Sequence, residues 1–180
     1  MTLPLLLEPE ELNAHLKDDR LLIVDLGKES VYLQAHVPGA ILVNGKQLVL
    51  GELPAPGRLP PVERLVDAFS AMGLTPDTHV VVYDDEGGGW AGRFIWTLDA
   101  IGHRHYSYLN GGIHAWLAAG LPIESTPNPA TRTSAVVNLQ QAPVADIDYV
   151  LAHFRDADHV IWDARSAEEF AGTRMLAQRG

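Results

Sequence analysis

The stretch that most constrains the fold runs from residue 79 to residue 97, HVVVYDDEGGGWAGRFIWT. It opens on an apolar, β-branched run at residues 80–83, which predicts a buried strand. Three acidic residues and three glycines follow, and residues 90–96 are typical of a helix. A strand that passes through glycines into a helix leaves the first backbone N–H groups of that helix free to bind an anion. The stretch therefore predicts an α/β fold with a candidate anion-binding loop.

Short apolar runs alternate with helical patterns over the first 124 residues. Strands are predicted at residues 5–7, 21–26, 41–43, 80–83 and 106–109. Helices are predicted over residues 8–18, 61–72, 90–100 and 113–119, with a further short helix opening the segment 29–40. This alternation predicts a mostly parallel sheet with helices on both faces. Residues 125–135 are polar and carry two prolines, so they are interpreted as a linker.

The pattern restarts after the linker. Residues 136–139 are predicted to be extended, residues 144–155 helical, residues 159–164 a strand, and residues 165–171 the opening of another helix. This order matches residues 12–32 and forms a weak internal repeat. The second copy stops before most of a sheet could form, so residues 136–180 are interpreted as a truncated start of a second domain. Alone they cannot bury enough apolar surface to fold, and we expect them either to pack on the first domain or to be largely disordered.

The amino-acid composition excludes several classes of binding partner and of catalytic chemistry. A formal net charge of −10 argues against nucleic acid and against an acidic membrane surface. No apolar run approaches the roughly 18 residues of a membrane-spanning helix, and the opening residues make a poor signal peptide, so a cytoplasmic protein is predicted. The sequence contains no cysteine, which excludes disulfides and thiol catalysis within these residues.

Four motifs, in this order, resemble those of the tandem-domain rhodaneses, which are thiosulfate sulfurtransferases. They are YLQAHVPGA at residues 32–40, VVVYDDEGGGWAGR at 80–93, LNGGIHAW at 109–116 followed by GLP at 120–122, and DARS at 163–166 followed by Glu169 and Phe170. The resemblance covers nearly the whole chain. It implies a rhodanese-like domain of the non-catalytic type at residues 1–124, a linker at 125–135, and the truncated start of the catalytic domain at 136–180.

The resemblance also implies a chemistry. Rhodaneses transfer sulfane sulfur from thiosulfate to cyanide or another thiophilic acceptor, without a cofactor. A cysteine at the end of a central strand becomes a persulfide that the following loop cradles with backbone N–H groups. In tandem members this cysteine belongs to the second domain, which would be the intramolecular partner missing from this chain. The chain alone is therefore predicted to be inactive.

Aspartate stands in the first domain where catalytic domains carry cysteine. Asp84 cannot form a persulfide, and Asp85 and Glu86 would repel the thiosulfate dianion. Arg93 could offset part of this charge by reaching back to Asp84 or Asp85. Two roles stay open for the acids, namely capping the following helix and binding a ligand. The predicted vestigial active-site loop comprises Asp84, Asp85, Glu86, Gly87, Gly88, Gly89 and Arg93.

A second candidate site follows the apolar run of the second copy. Asp163 and Arg165 belong to a turn that, by the resemblance, lines the substrate cleft between the two domains. A simple ion pair or a helix cap is the alternative interpretation.

Other functions fit the sequence less well than a sulfurtransferase. A non-catalytic rhodanese module that binds a partner domain or an anion is the main alternative. Residues 87–92 match G-x-G-x-x-G after a predicted strand, but acids precede the glycines, so a dinucleotide site is disfavoured. The eight histidines show no H-x-x-x-H or H-E-x-x-H spacing, and no metal site is predicted. No serine occupies a G-x-S-x-G elbow.

Overall fold

The computed structural model describes residues 3–175, which divide into two compact units. Unit one covers residues up to Pro143 and unit two begins at Val144. Among the described residues, every helix is too short or too polar to cross a lipid bilayer. The last five residues of the predicted second domain, 176–180, lie outside the described range.

Unit one is built on a five-stranded sheet, whose strands are β1 Leu6–Leu7, β2 Leu21–Asp25, β3 Ile41–Leu42, β4 His79–Tyr83 and β5 Tyr106–Leu109. Their order across the sheet is β1-β5-β4-β2-β3. All four neighbouring pairs are parallel. Every residue of β4 is buried, as expected for an apolar central strand covered on both faces. The predicted α/β fold with a parallel sheet is confirmed.

Helices cover both faces of this sheet, as predicted. Val80 and Val82 pack in one apolar cluster with side chains of the helices at residues 62–72 and 89–100. Val81 and Tyr83 pack in a second cluster with side chains of the helices at residues 9–15 and 112–118. Alternate residues of one strand thus supply two cores. The helices are α1 Pro9–His15, α2 Glu29–Tyr32, α3 Val62–Met72, α4 Gly89–Ala100 and α5 Gly112–Ala118, with an unpredicted 3-10 turn at Gly45–Leu48.

The predicted linker lies against unit one. The side chain of Asn128 donates to the carbonyl of Ala40 at 3.2 Å. The backbone N–H of Thr133 donates to the carbonyl of Ser70 at 2.9 Å, and that of Ala135 to the Ser70 hydroxyl at 3.0 Å. Residues 125–135 therefore form a hydrogen-bonded strap, and the compact unit continues to Pro143.

Unit two contains two short helices, α6 Ile147–His153 and α7 Ala167–Phe170. Each begins with a side-chain cap: Asp146 accepts from the N–H of Tyr149 at 2.8 Å, and Ser166 accepts from that of Glu169 at 3.3 Å. Both helices repeat earlier ones at a fixed distance, because Ile147 follows Pro9, and Ala167 follows Glu29, by 138 positions.

The strand predicted at residues 159–164 is wrong, since the structure has no strand there. A strand exists only when a neighbouring strand satisfies its backbone groups, and the described part of unit two offers none. Val160, Ile161 and Trp162 are consequently 85%, 68% and 88% exposed. The apolar run has the composition of a strand without the partners of one.

Candidate functional site

The candidate site lies where the central strand β4 ends. Residues 84–88 connect Tyr83 to α4, which begins at Gly89. The loop stands at the carboxyl edge of the sheet, with β2 and β5 on either side of β4. This edge is where open parallel sheets bind their ligands.

The carboxylate of Asp84 fills the anion cradle of this loop. Its Oδ1 accepts from the backbone N–H groups of Glu86 at 3.1 Å and Gly88 at 2.8 Å. Its Oδ2 accepts from the N–H groups of Trp90 at 3.0 Å and Ala91 at 3.1 Å. The residue is only 2% exposed. The donors that could hold an external anion, or the pyrophosphate of a dinucleotide, are therefore bonded to the chain's own side chain.

Glycines give the loop its shape. Gly87 and Gly88 have φ angles of +87° and +96°, which side chains disfavour. Gly112, at the start of α5, lies so close to the loop that an added Cβ would stand 2.4 Å from the carbonyl oxygen of Asp84. The third glycine, Gly89, is the first residue of α4. The Gly-Gly turn at residues 111–112 and the triple glycine at 87–89 thus belong to one assembly around Asp84.

Lysine partly neutralises the two other acids. The Lys28 ammonium lies 2.6 Å from Glu86 Oε1 and 3.9 Å from Asp85 Oδ2, and its backbone N–H donates to Asp85 Oδ1 at 3.3 Å. The hydrogen bond to Glu86 raises the pKa of Lys28. Because Lys28 is largely exposed, these contacts add little stability. They do reduce the repulsion that the loop would exert on an approaching anion.

Arg93 does not reach back to the acids as the sequence suggested. Its guanidinium donates to the carbonyls of Gly57 and Leu48, each at 2.7 Å, and lies 4.5 Å from the Trp96 ring centroid. Burial lowers the pKa of Arg93. The side chain fastens α4 to the end of the 3-10 turn and to the loop that follows it, so its role is in folding and it leaves the charge of the acidic loop unchanged.

A cleft of about 540 Å³ opens beside the loop. Its polar lining carries both signs of charge, and Trp90 supplies an aromatic wall. The charged lining residues are Lys28, Lys46, Glu29, Asp85 and Glu86. The Trp90 ring can lie here only because residue 45 is glycine, since a Cβ at Gly45 would stand 2.3 Å from the ring. A cleft with this mixed lining lacks the excess of positive charge that would concentrate thiosulfate.

A buried acid behind the cleft was missed in the sequence. Asp25 ends β2, is 2% exposed, and accepts from the N–H of Gly27 at 2.7 Å. Desolvation raises its pKa. The only sign of this residue in the sequence is an acid near the end of the apolar run 21–26. An acid in that position is also common at helix caps and turns, so it does not by itself indicate a buried carboxyl group.

Asp163 and Arg165 form an exposed ion pair in unit two. Arg165 Nη2 lies 2.7 Å from Asp163 Oδ2, and its backbone N–H donates to Asp163 Oδ1 at 3.0 Å. These contacts lower the pKa of Asp163 to about 2. The pair matches the ion-pair alternative, and its place in a substrate cleft stays a prediction.

The structure brings together three potential metal ligands that the spacing of the histidines in the sequence did not indicate. His153, Asp156 and His159 of unit two have imidazole and carboxylate atoms within 4.8 Å of one another. Their spacing is three and three residues, which differs from the helical i, i+4 metal motifs sought in the sequence.

Comparisons with known proteins agree with this geometry. The family model of the rhodanese-like domain matches residues 8–119 of this chain. Thiosulfate sulfurtransferase from Azotobacter vinelandii is 48% identical over 180 residues, with 99% of this chain and 66% of the relative covered. Thiosulfate sulfurtransferase from Pseudomonas aeruginosa is 43% identical over 177 residues, with 98% and 65% covered. The chain spans slightly less than two thirds of these relatives.

A solved structure extends the likeness to three dimensions. The crystal structure of a 3-mercaptopyruvate sulfotransferase from Escherichia coli superposes with a TM-score of 0.87 at 25% sequence identity. The match covers 99% of this chain and 72% of that one.

Proposed function

This chain belongs to the rhodanese-like domain family, and on that premise we propose that it is the non-catalytic amino-terminal part of a thiosulfate sulfurtransferase. Residues 1–124 are the scaffold domain, residues 125–135 connect it to a second domain, and residues 136–180 begin that domain. Sulfane sulfur passes from thiosulfate to cyanide or another thiophile through a cysteine persulfide of the second domain. Two curated relatives that are thiosulfate sulfurtransferases support this substrate class.

One observation carries the proposal: the Asp84 carboxylate accepts four backbone N–H groups at the end of β4. Persulfide catalysis needs a thiolate, and it needs N–H donors that are free to hold the transferred sulfur. Asp84 supplies a carboxylate in place of the thiolate and occupies the donors as well. The loop keeps the shape of an active site while both chemical requirements are unmet.

Asp163 and Arg165 are proposed to act in the substrate cleft of the complete protein. The ion pair holds the guanidinium through Nε and Nη2. A guanidinium held in this way is oriented before the substrate arrives, so it can donate a hydrogen bond to a thiosulfate oxygen at a lower cost in side-chain entropy.

The direct test is thiocyanate release from thiosulfate and cyanide. The 180-residue chain is expected to give no thiocyanate above the blank, and a protein in which a cysteine-bearing second domain follows these residues is expected to be active. Asp84→Ala in the 180-residue chain serves as the control, and it should be as inactive as the parent. Activity from the cysteine-free chain would contradict the proposed mechanism.

A second candidate is a non-catalytic rhodanese module that binds another protein domain. The exposure of Val160, Ile161 and Trp162 favours it, because side chains of this size are normally covered. The two functions require different sequences beyond residue 180 of the complete gene product. A strand of the form Val-x-x-Cys in that region supports the enzyme, and its absence from the complete gene product supports the module.

A further inference from the structure

Three potential metal ligands follow one another at intervals of three residues in unit two. The backbone N–H of Asp156 donates to the carbonyl of His153 at 3.0 Å, and that of His159 donates to the carbonyl of Asp156 at 3.1 Å. Two successive turns of this kind bring every third side chain to the same side of the chain. Ligand atoms from all three residues accordingly lie within 4.8 Å of one another.

Neighbouring groups orient one of the two imidazoles. His159 Nδ1 lies 2.9 Å from Asp158 Oδ1, so Nδ1 carries the proton and Nε2 presents its lone pair. A carboxylate behind a histidine is the usual outer contact of a metal-binding imidazole. Tyr149 Oη lies 2.9 Å from that Nε2, where it donates to the lone pair in the absence of a metal.

The second imidazole lies beside the first. The ring of His153 stacks on that of His159 with centroids 4.9 Å apart and an interplanar angle of 12°. His153 Nδ1 is 2.7 Å from Asp156 Oδ2. Two imidazoles and one carboxylate therefore converge within a single seven-residue segment, residues 153–159.

Unit one contains the same turns without the complete set of ligands. His15, Asp18 and Leu21 precede His153, Asp156 and His159 by 138 positions each. The backbone N–H of Asp18 donates to the His15 carbonyl at 3.0 Å, and that of Leu21 donates to the Asp18 carbonyl at 2.9 Å. Leucine replaces the third ligand.

The carboxylate of the earlier copy is also engaged elsewhere. Asp18 accepts from the backbone N–H of Arg20 at 3.0 Å and pairs with its side chain. The fold of this turn therefore does not by itself create a site, and the three ligands are specific to the second copy.

We propose that His153, Asp156 and His159 bind one divalent transition-metal ion, with His159 as an Nε2 ligand. Imidazole and carboxylate together suit Zn²⁺ and Co²⁺. Metal–nitrogen distances of about 2.0–2.1 Å place the ligand atoms of a tetrahedral site roughly 3.4 Å apart. The side chains of His153, Asp156 and His159 are 40%, 46% and 32% exposed. They can therefore rotate to shorten the separations between their ligand atoms from the present limit of 4.8 Å to that value.

The remaining coordination position is open to water. An ion bound there displaces the proton that Tyr149 donates to His159, and it ties the end of α6 to the residue that precedes the apolar run 160–162. Metal binding is thus expected to order the segment between α6 and that run, independently of sulfur transfer.

Titration with Co²⁺ tests the site in the unmodified 180-residue chain. One ion is expected to bind per chain, with the visible absorption of tetrahedral cobalt. His153→Ala and His159→Ala should each weaken the affinity by at least about 10-fold, the lower end of the loss caused by removing even an outer contact. His15→Ala is the matched control and should leave the affinity unchanged.

Histidine NMR in the unmodified protein keeps the test independent of how the variants fold. With one equivalent of Zn²⁺, the imidazole signals of His153 and His159 are expected to shift together while that of His15 stays in place. Cobalt binding that persists in the His153→Ala/His159→Ala double variant would overturn the proposal, as would zinc spectra in which neither signal moves.

Discussion

Two segments of the molecule carry the same pattern and differ in structure. Residues 21–32 and residues 159–170 each consist of an apolar run, an aspartate and a four-residue helix, at positions 138 apart. Their aspartates make the same local hydrogen bond to the backbone N–H two residues later, Asp25 to Gly27 at 2.7 Å and Asp163 to Arg165 at 3.0 Å. Their helices, Glu29–Tyr32 and Ala167–Phe170, occupy equivalent positions.

The apolar runs before these turns have opposite environments. Ile23 lies in β2, between β4 and β3, and is 4% exposed. Its counterpart Ile161 belongs to no strand and is 68% exposed. Turns and caps form from hydrogen bonds within a few residues, whereas a strand requires partners from distant parts of the chain. The comparison therefore separates what a segment specifies by itself from what its neighbours supply.

The largest effect is expected from truncating the two equivalent isoleucines. Ile23→Ala removes a buried side chain and leaves a cavity, so it should lower the free energy of unfolding by about 2–5 kcal/mol. Ile161→Ala removes an exposed side chain and should change it by no more than about 0.5 kcal/mol. Urea unfolding followed by circular dichroism measures both. Equal costs would break the comparison.

Acid should weaken the sheet that supports the first segment. His79 begins β4, pairs with Leu21, and is 3% exposed; desolvation lowers its pKa to about 4. Well above pH 6.5 the imidazole is neutral in both the folded and the unfolded protein. Between about pH 6.5 and pH 4 it is protonated mainly in the unfolded protein, which is therefore favoured as the pH falls. The contribution of His79 alone should lower the free energy of unfolding by about 2–3 kcal/mol across this window.

The His79→Gln variant isolates that effect. Protonation of Asp25, whose pKa burial raises, works in the opposite direction because it stabilises the folded state as pH falls. The difference between parent and variant removes this contribution. The free energy of unfolding of the parent minus that of the variant, from urea unfolding at each pH, should fall by about 2–3 kcal/mol between pH 7 and pH 4. A difference that stays constant with pH would contradict the assignment.

A smaller effect is expected from the two aspartates that follow apolar runs in β4 and in unit two. Asp84→Ala leaves four N–H donors without their acceptor and should cost about 2 kcal/mol, while Asp84→Asn keeps one acceptor and should cost less. Sulfate should restore part of the stability of Asp84→Ala alone, by occupying the emptied cradle. Asp163→Ala, at an exposed ion pair, should leave stability unchanged. Denaturant midpoints with and without sulfate check all three, and a sulfate response of the parent would contradict the account.

Most of unit one was predictable because its signals are local or periodic. The alternation of apolar runs with helical patterns predicted the parallel sheet, and α3 ends at Met72, the residue where the predicted helix ends. The glycine loop lies between the predicted strand and the predicted helix, and capping of that helix was one of the two roles left open for Asp84. These features depend on residues that lie close together in the sequence.

The failures involve contacts between distant residues. Residues 159–164 have the composition of a strand, but composition does not reveal whether a partner strand is present. Arg93 turns to carbonyls 36 and 45 positions away, at Gly57 and Leu48, which no local pattern indicates. The grouping of His153, Asp156 and His159 depends on two consecutive turns whose three-residue spacing is not a recognised metal motif.

Amide hydrogen exchange in the 180-residue chain tests the central contrast most directly. The N–H groups of residues 80–82 lie in the parallel ladder of the central strand, whereas among residues 3–175 those of residues 160–162 have no hydrogen-bond partner. Residues 80–82 should exchange only when unit one unfolds globally, and residues 160–162 should exchange at nearly the rate of an unfolded chain. Comparable protection at the two sites would contradict the account in which the apolar run 160–162 lacks the strand partners that its counterpart in unit one has.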